Sequence, residues 1–384
     1  MRFGRAPALS AEDLLRLALV EGVTARHLDL LGLGQGPPRP ASPSRSCGGD
    51  GGEGREGLLE RARAALSSPG AARRAEAVQA VCARAGVDIL PYGSPGYPAA
   101  LAEVEDAPLV LFKLGRASLG GPAVAVVGSR AATEPGVEFA RELARDLALA
   151  GVVVVSGMAR GVDAAAHEGA LLAGGETVAV LGCGIDVVYP PEAVRLRNRI
   201  AEQGALLSEF PPGTRPLPRN FPRRNRIVSG LAQVVVVAEA PLRSGALITA
   251  RLALDQGREV MAVPGSPLFP HTAGSNRLLA EGAAPVTCAA DVLAALGTLP
   301  WRPAQAREAA GTAGGDRGGE ADREARVLRL LARERSADEM AALLGMPPQE
   351  LLPLLADMEL RKLLARNAGG YYKRLAHPPS DPEQ

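Results

Sequence analysis

The run "AVAVVG", Ala123 to Gly128, decides the fold: five apolar residues, three of them β-branched, end on a glycine and leave no polar face. A strand apolar on both sides is covered on both sides, which is the condition of a parallel sheet between layers of helices. The same signature recurs outward along the chain as "VVVVSG" (Val152 to Gly157), "TVAVLG" (Thr177 to Gly182), "ALLSEF" (Ala205 to Phe210), "VVVVAEA" (Val234 to Ala240) and "EVMAVPG" (Glu259 to Gly265). Helical stretches such as "GVEFARELARDLALAG", "GVDAAAHEGALLAGG" and "GALITARLALDQG" separate most of them. Strand-helix alternation of this kind predicts an α/β core with a doubly wound, parallel, Rossmann-like sheet, placed at residues 103–298.

The flanks differ in kind. From Leu9 to Leu33, "LSAEDLLRLALVEGVTARHLDLLGL" places leucines at helical spacing behind the capping pair Ser10 and Asp13. Residues 34–56 are rich in Gly, Pro and Ser without a period and read as a disordered insert. Helical character resumes after it, so residues 1–102 are expected to form a small helical, SAM-like domain carrying that insert. A Pro/Gly/Ala-rich linker is expected at 299–322. Beyond it, three helices and "RNAGGYYKR" predict a winged-helix-like domain at 323–376, its second helix opened by Ser336 and Glu339 and closed by Gly345. The third helix carries Glu350, Asp357 and Glu359, which repel a phosphate backbone, so docking of a partner or a second copy stands beside DNA binding there.

Composition narrows the function. The 384 residues carry a formal net charge of +1, so any polyanion site is a local concentration of cations and not a global field. Arginine supplies nearly all of them, lysine occurring only at Lys113, Lys362 and Lys373. Cys47, Cys82, Cys183 and Cys288 form no CxxC pair, which suggests neither zinc nor a disulfide framework and fits a reducing cytoplasm. No segment reaches the roughly 18 uninterrupted apolar residues of a membrane span.

In a parallel α/β sheet the loops leaving the carboxyl ends of the strands gather along one edge, where ligands bind. Here they read "GSRAATEPG" from Gly128, "SGMARGVDAAAH" from Ser156, "GCGIDVVYPP" from Gly182, "EFPPGTRPLPRNFPRRNR" from Glu209, "APLRSGALITA" from Ala240 and "PGSPLFPHTAGSN" from Pro264. Small residues at such turns let backbone N–H groups approach an oxyanion, which is phosphate chemistry. Arg130, Arg160, Arg223, Arg224 and Arg226 join them, and no acid occurs between Glu209 and Glu239.

A dinucleotide is not indicated, because "LGCGIDVV" has valine at the third glycine position and no acid ends the second strand. A GxxxxGK[ST] phosphate loop is absent, and no nucleophile, base and orienting group come together. His167 stands four residues after Asp163 and is at most a weak candidate for pairing with it. The edge instead suits single-stranded nucleic acid, with arginines for phosphates and Phe210, Tyr189 and Phe221 as stacking platforms. The plain alternative is that "NFPRRNR" makes internal pairs with Glu209, Glu239 and Asp186. As a loop segment, Arg223 and Arg224 are expected to face a ligand, and Arg226, nearest the apolar "IVSGL", to be partly structural.

The blocks "GSRAAT", "SGMARGVDAAAHEGAL", "GCGIDVVYPPE", "SEFPPGTRPLPRNFPRRNRIVSGL", "VVVVAEAPLRSGALITARLALDQGREVMAVPG" and "AGSNRLLAEGA", in order and at matching spacing, resemble the DNA-processing protein A family, DprA or Smf. The upstream "YPAALAEVEDAPLVLFKLG" is similar to that family's entry into the core. The resemblance covers about Tyr97 to Leu296. It implies a non-enzymatic, cytoplasmic protein of natural transformation that binds and shields incoming single-stranded DNA, helps load the RecA recombinase and forms homodimers through its core. Carried onto this chain, the implied DNA contacts are Ser129, Arg130, Ser156, Gly157, Arg160, Asn220, Arg223, Arg224, Asn225, Arg226, Ser244, Gly245 and Thr249. No cofactor, metal or membrane is implied. The rival class is a nucleotide-monophosphate phosphoribohydrolase on a related sheet. Those enzymes carry a PGGxGT loop followed by a catalytic acid, where this chain reads "PGSPLF" and "RSGALITA".

Overall fold

A computed structural model of the chain describes residues 9–33, 55–297, 320–331, 334–367 and 369–375. Most of the expected insert and of the expected linker lies outside these residues. The chain divides into two compact units, the boundary falling between Thr287 and Cys288.

The first unit opens with helices α1 (Ala11–Ala18), α2 (Arg26–Leu30), α3 (Arg55–Ser67) and α4 (Pro69–Ala85). Ser10 and Asp13 cap α1 reciprocally, as their spacing predicts. Its buried face, Leu14, Leu15 and Leu17, joins Ala75 and Cys82 of α4 in a cluster that also holds Phe112, Ala179, Ile200 and Leu206. The amino-terminal helices therefore share a core with the sheet, and each fully buried leucine contributes about 1.5–3 kcal/mol.

Next come strand β1 (Asp88–Pro91), the short helix α5 (Ala99–Ala102) and strand β2 (Val110–Gly115). The sheet proper follows as β3 (Ala123–Val127), α6 (Glu134–Leu149), β4 (Val153–Ser156), α7 (Val162–Leu172), β5 (Thr177–Val180), α8 (Val194–Gln203), β6 (Ala205–Ser208), α9 (Asn220–Leu231), β7 (Val234–Val237), α10 (Gly245–Asp255), β8 (Glu259–Ala262), α11 (Ala273–Ala280) and β9 (Ala284–Pro285). The strands lie in the order β1-β2-β6-β5-β4-β3-β7-β8-β9. From β6 to β9 every neighbour is parallel, and β3, β4, β5, β6 and β7 are buried along their whole length. The expected parallel sheet thus forms, extended by β1 and β2, which run antiparallel at one edge.

From β3 the chain winds one way through β4, β5 and β6, then crosses by α9 to β7 on the other side of β3. The strand order reverses between β3 and β7, and that switch point is where open α/β sheets offer a ligand crevice.

The second unit contains α12 (Ala289–Ala295), α13 (Glu320–Leu330), β10 (Arg335–Ser336), α14 (Ala337–Leu344), α15 (Pro348–Leu360), β11 (Leu364–Arg366) and β12 (Tyr371–Arg374). Strand order β10-β12-β11, all antiparallel, gives the three helices and hairpin of a winged helix. Ser336 and Glu339 box the start of α14, and Gly345 closes it in the left-handed conformation (φ 60°) that glycine tolerates best.

Candidate nucleic-acid interface

The stretch "NFPRRNR" is helical, and this corrects its reading as a loop. It forms the first two turns of α9. Pro222 falls in the first turn, where its missing N–H has no intrahelical partner to lose. Because α9 leaves from β6 and returns to β7, its first turns lie beneath the carboxyl ends of β4 and β5. Asn220 Nδ2 donates to Gly182 O (3.1 Å) and Arg215 O (3.2 Å).

Arg224 is buried, which corrects the expectation that it faces a ligand. Its guanidinium donates to the carbonyls of Gly157 and Val180, and its Nε donates to Asn225 Oδ1 (3.2 Å). Gly157 is glycine for this reason: a Cβ there would stand 2.6 Å from Nη2 of Arg224. Burial pulls the Arg224 guanidinium down to about 10, against the nearby Asp163 carboxylate, which holds it up. Asp163, also buried, accepts from the N–H groups of Gly157 (3.2 Å) and Ala159 (3.3 Å). Burial raises its carboxyl above the usual range, with Arg224 opposing.

Arg226 meets the expectation set for it. It is buried and gives Glu209 Oε2 a 2.6 Å bond. Arg223 shares that oxygen at 3.0 Å while staying partly exposed, its guanidinium 5.5 Å above the Phe210 ring. The internal pairing weighed for this stretch is therefore real at Glu209. The other two acids work elsewhere: Asp186 accepts from Gly213 N–H (2.8 Å), and Glu239 accepts from Thr133 N–H (2.9 Å) and Thr133 Oγ1 (2.6 Å).

The Glu239 contact fills the amino terminus of α6, the place where a Rossmann-type turn holds a pyrophosphate. Ser129 N–H also donates to Glu239 O (2.7 Å), joining the exits of β3 and β7. Several implied contact residues are likewise occupied within the protein. Ser156 Oγ donates to Val126 O (2.7 Å), Ser129 Oγ accepts from Ala131 N–H (3.1 Å), and buried Thr249 donates to Gly245 O (3.4 Å).

What reaches solvent is a smaller set. Arg130 and Arg160 are exposed, Arg160 pairing with Glu192 on the surface. Asn225 is half-buried, Ser244 caps α10 by accepting from Ala246 N–H (3.2 Å), and Gly245 opens that helix with free space around it. Arg130 lies 5.3 Å over the Phe221 ring, and Tyr189 packs on Phe221 at 5.3 Å between centroids. Phe210 is buried and offers no open platform. Sequence reasoning passed over Arg243, exposed beside Ser244 in "APLRSGALITA"; its position in a strand-exit loop was the available signal.

His167 does not pair with Asp163. It is fully buried, with Nδ1 2.7 Å from Thr177 Oγ1, which itself donates to Val154 O (2.7 Å), so Nδ1 carries the hydrogen. Burial pulls its pKa down to about 3. Among the described residues, no cluster of three His, Cys, Asp or Glu is arranged to hold a metal, and no helix is long and apolar enough to cross a membrane.

Fold and edge together define a Rossmann-like α/β protein whose inner anion positions are taken by its own carboxylates while arginines and aromatic rings remain along the rim. The family model for DNA recombination-mediator protein A matches residues 88–297, and that for the DprA winged helix domain matches residues 302–370. The chain belongs to the DNA recombination-mediator protein A family. It is 47% identical over 199 residues to the DNA processing protein DprA of Streptococcus pneumoniae, covering 52% of this chain and 70% of that one. It is 40% identical over 289 residues to the protein Smf of Escherichia coli, covering 74% and 77%. Among solved structures, DNA processing protein A of Streptococcus pneumoniae aligns with TM-score 0.60 at 34% identity, covering 75% of this chain and 98% of that one. DNA processing protein A of Helicobacter pylori, whose single-stranded DNA binding mode has been described, aligns with TM-score 0.50 at 31% identity, covering 56% and 95%.

Proposed function

We propose that this chain binds single-stranded DNA along the carboxyl edge of its sheet, without catalysis. In that role it shields the strand during transformation and passes it to RecA in the cytoplasm, acting as a homodimer. The observation that carries the reading is the rim cluster of exposed Arg130 over Phe221 with Tyr189 against the same ring. A cation for phosphate beside flat faces for bases suits a flexible strand better than a stiff duplex. A relative at 47% identity named for DNA processing, and a solved relative described as binding single strands, support it.

Of the residues implied by family resemblance, Arg130, Arg160, Arg223, Asn225, Ser244 and Gly245 make the contacts, and Arg243 joins them. Ser129, Ser156, Gly157, Asn220, Arg224, Arg226 and Thr249 shape the floor beneath. The test is a titration of single- and double-stranded oligonucleotides of one sequence across a salt series. Preference for the single strand is expected, with a log–log slope of about −0.7 per phosphate neutralised. Equal affinity for duplex, or insensitivity to salt, refutes the reading; release of free base from a nucleotide monophosphate turns it toward the phosphoribohydrolase class.

A further inference from the structure

The third helix of the winged helix, α15, has one buried and one exposed face. Its inner face, Leu351, Leu354, Leu355 and Met358, is buried, as a packed helix requires. Its outer face leaves Leu352 at 48% and Leu360 at 84% exposure, and these leucines share one stripe with exposed Ala356 at helical i, i+4, i+8 spacing. Around the stripe stand exposed Glu350, Asp357 and Glu359, and α15 contains no lysine or arginine. The next cation along the chain, Arg361, is already engaged by Asp357 (2.9 Å) and Glu324.

In helix-turn-helix architectures the helix at this position enters the major groove between two phosphate backbones. Three carboxylates, of which Asp357 is paired with Arg361, oppose that approach. They equally oppose a second copy docking by the same face, since like charges would meet across the contact. An apolar stripe with an acidic border is complementary to one chemistry, an apolar stripe with a basic border.

We propose that α15 is a docking face for an amphipathic helix of a partner protein, bearing leucine-like residues at three- and four-residue spacing flanked by lysine or arginine. The test uses the full chain and two labelled peptides of about 18 residues, roughly five helical turns. One is a Lys/Leu amphipathic helix, the other its Glu/Leu counterpart. The Lys/Leu peptide is expected to bind and the Glu/Leu peptide not to. Leu352→Ser with Leu360→Ser is expected to weaken binding by roughly tenfold or more, since the stripe loses its burial. Glu350→Lys alone, at an exposed position outside the core, is expected to weaken it with the leucines intact. Single-stranded DNA affinity of both variants is expected to match the parent. The proposal is overturned if the Lys/Leu peptide fails to bind the parent or binds both variants undiminished. It is also overturned if the leucine substitutions abolish duplex binding or self-association, which would make the face a nucleic-acid or dimer contact.

Discussion

Arg223 and Arg224 are consecutive on α9, and a step of about 100° around the helix places one guanidinium at the rim and the other beneath the strand ends. Their substitutions therefore diverge. Arg224→Ala leaves buried Asp163 without its cation and two carbonyls without a donor, and is expected to cost about 3–5 kcal/mol of stability in chemical denaturation. Arg130→Ala, at an exposed position, is expected to leave the melt within about ±0.5 kcal/mol while weakening single-strand binding and flattening its salt slope by about 0.7. A large loss of stability at Arg130, or none at Arg224, would reverse these assignments. His167 supplies a pH signature. It takes a proton near 6.5 when unfolded and near 3 when folded, so the unfolded state binds more protons between those values. Stability therefore falls as pH drops through that window, by about 1.4 kcal/mol per unit from this group. Denaturation at pH 7 and pH 5 should show a steeper decline for the parent than for His167→Asn.

At the scale of elements, the βα alternation was readable because strands buried on both faces carry an unbroken apolar signal. Strands β1 and β2 escaped that reading. Asp88 and Pro91 bound the first, Lys113 interrupts the second, and an antiparallel edge leaves no strand-helix rhythm. Helix α9 was misread for a different reason: two asparagines, a proline and three arginines precede its first apolar run, and their fit to a helix depends on the Gly157 and Val180 carbonyls and Glu209, which arrive from far along the chain. The same distance hid which arginines are internal. The contact between α9 and the β4 exit can be probed from the other side. Gly157→Ala sets a Cβ against the Arg224 guanidinium and is expected to cost about 1–3 kcal/mol. Its coupling with Arg224→Ala in a double-mutant cycle should be well above zero, whereas additive effects would separate the two sites.

At the scale of the molecule, the strand-order reversal between β3 and β7 usually opens a crevice into which a small ligand inserts end-on. Here Glu239 ties that crevice shut, its carbonyl bonded to Ser129 N–H and its carboxylate to Thr133. A Cβ on Gly128 would meet Glu239 O at 2.9 Å, and one on Gly161 would meet Ser129 O at 2.3 Å. With the seam closed, a single strand bound along the edge as proposed above finds no slot for a chain end and needs no free end to thread. Circular and linear single strands of equal length should then compete on equal terms, and a protein that captures only strands with ends would require the seam to open.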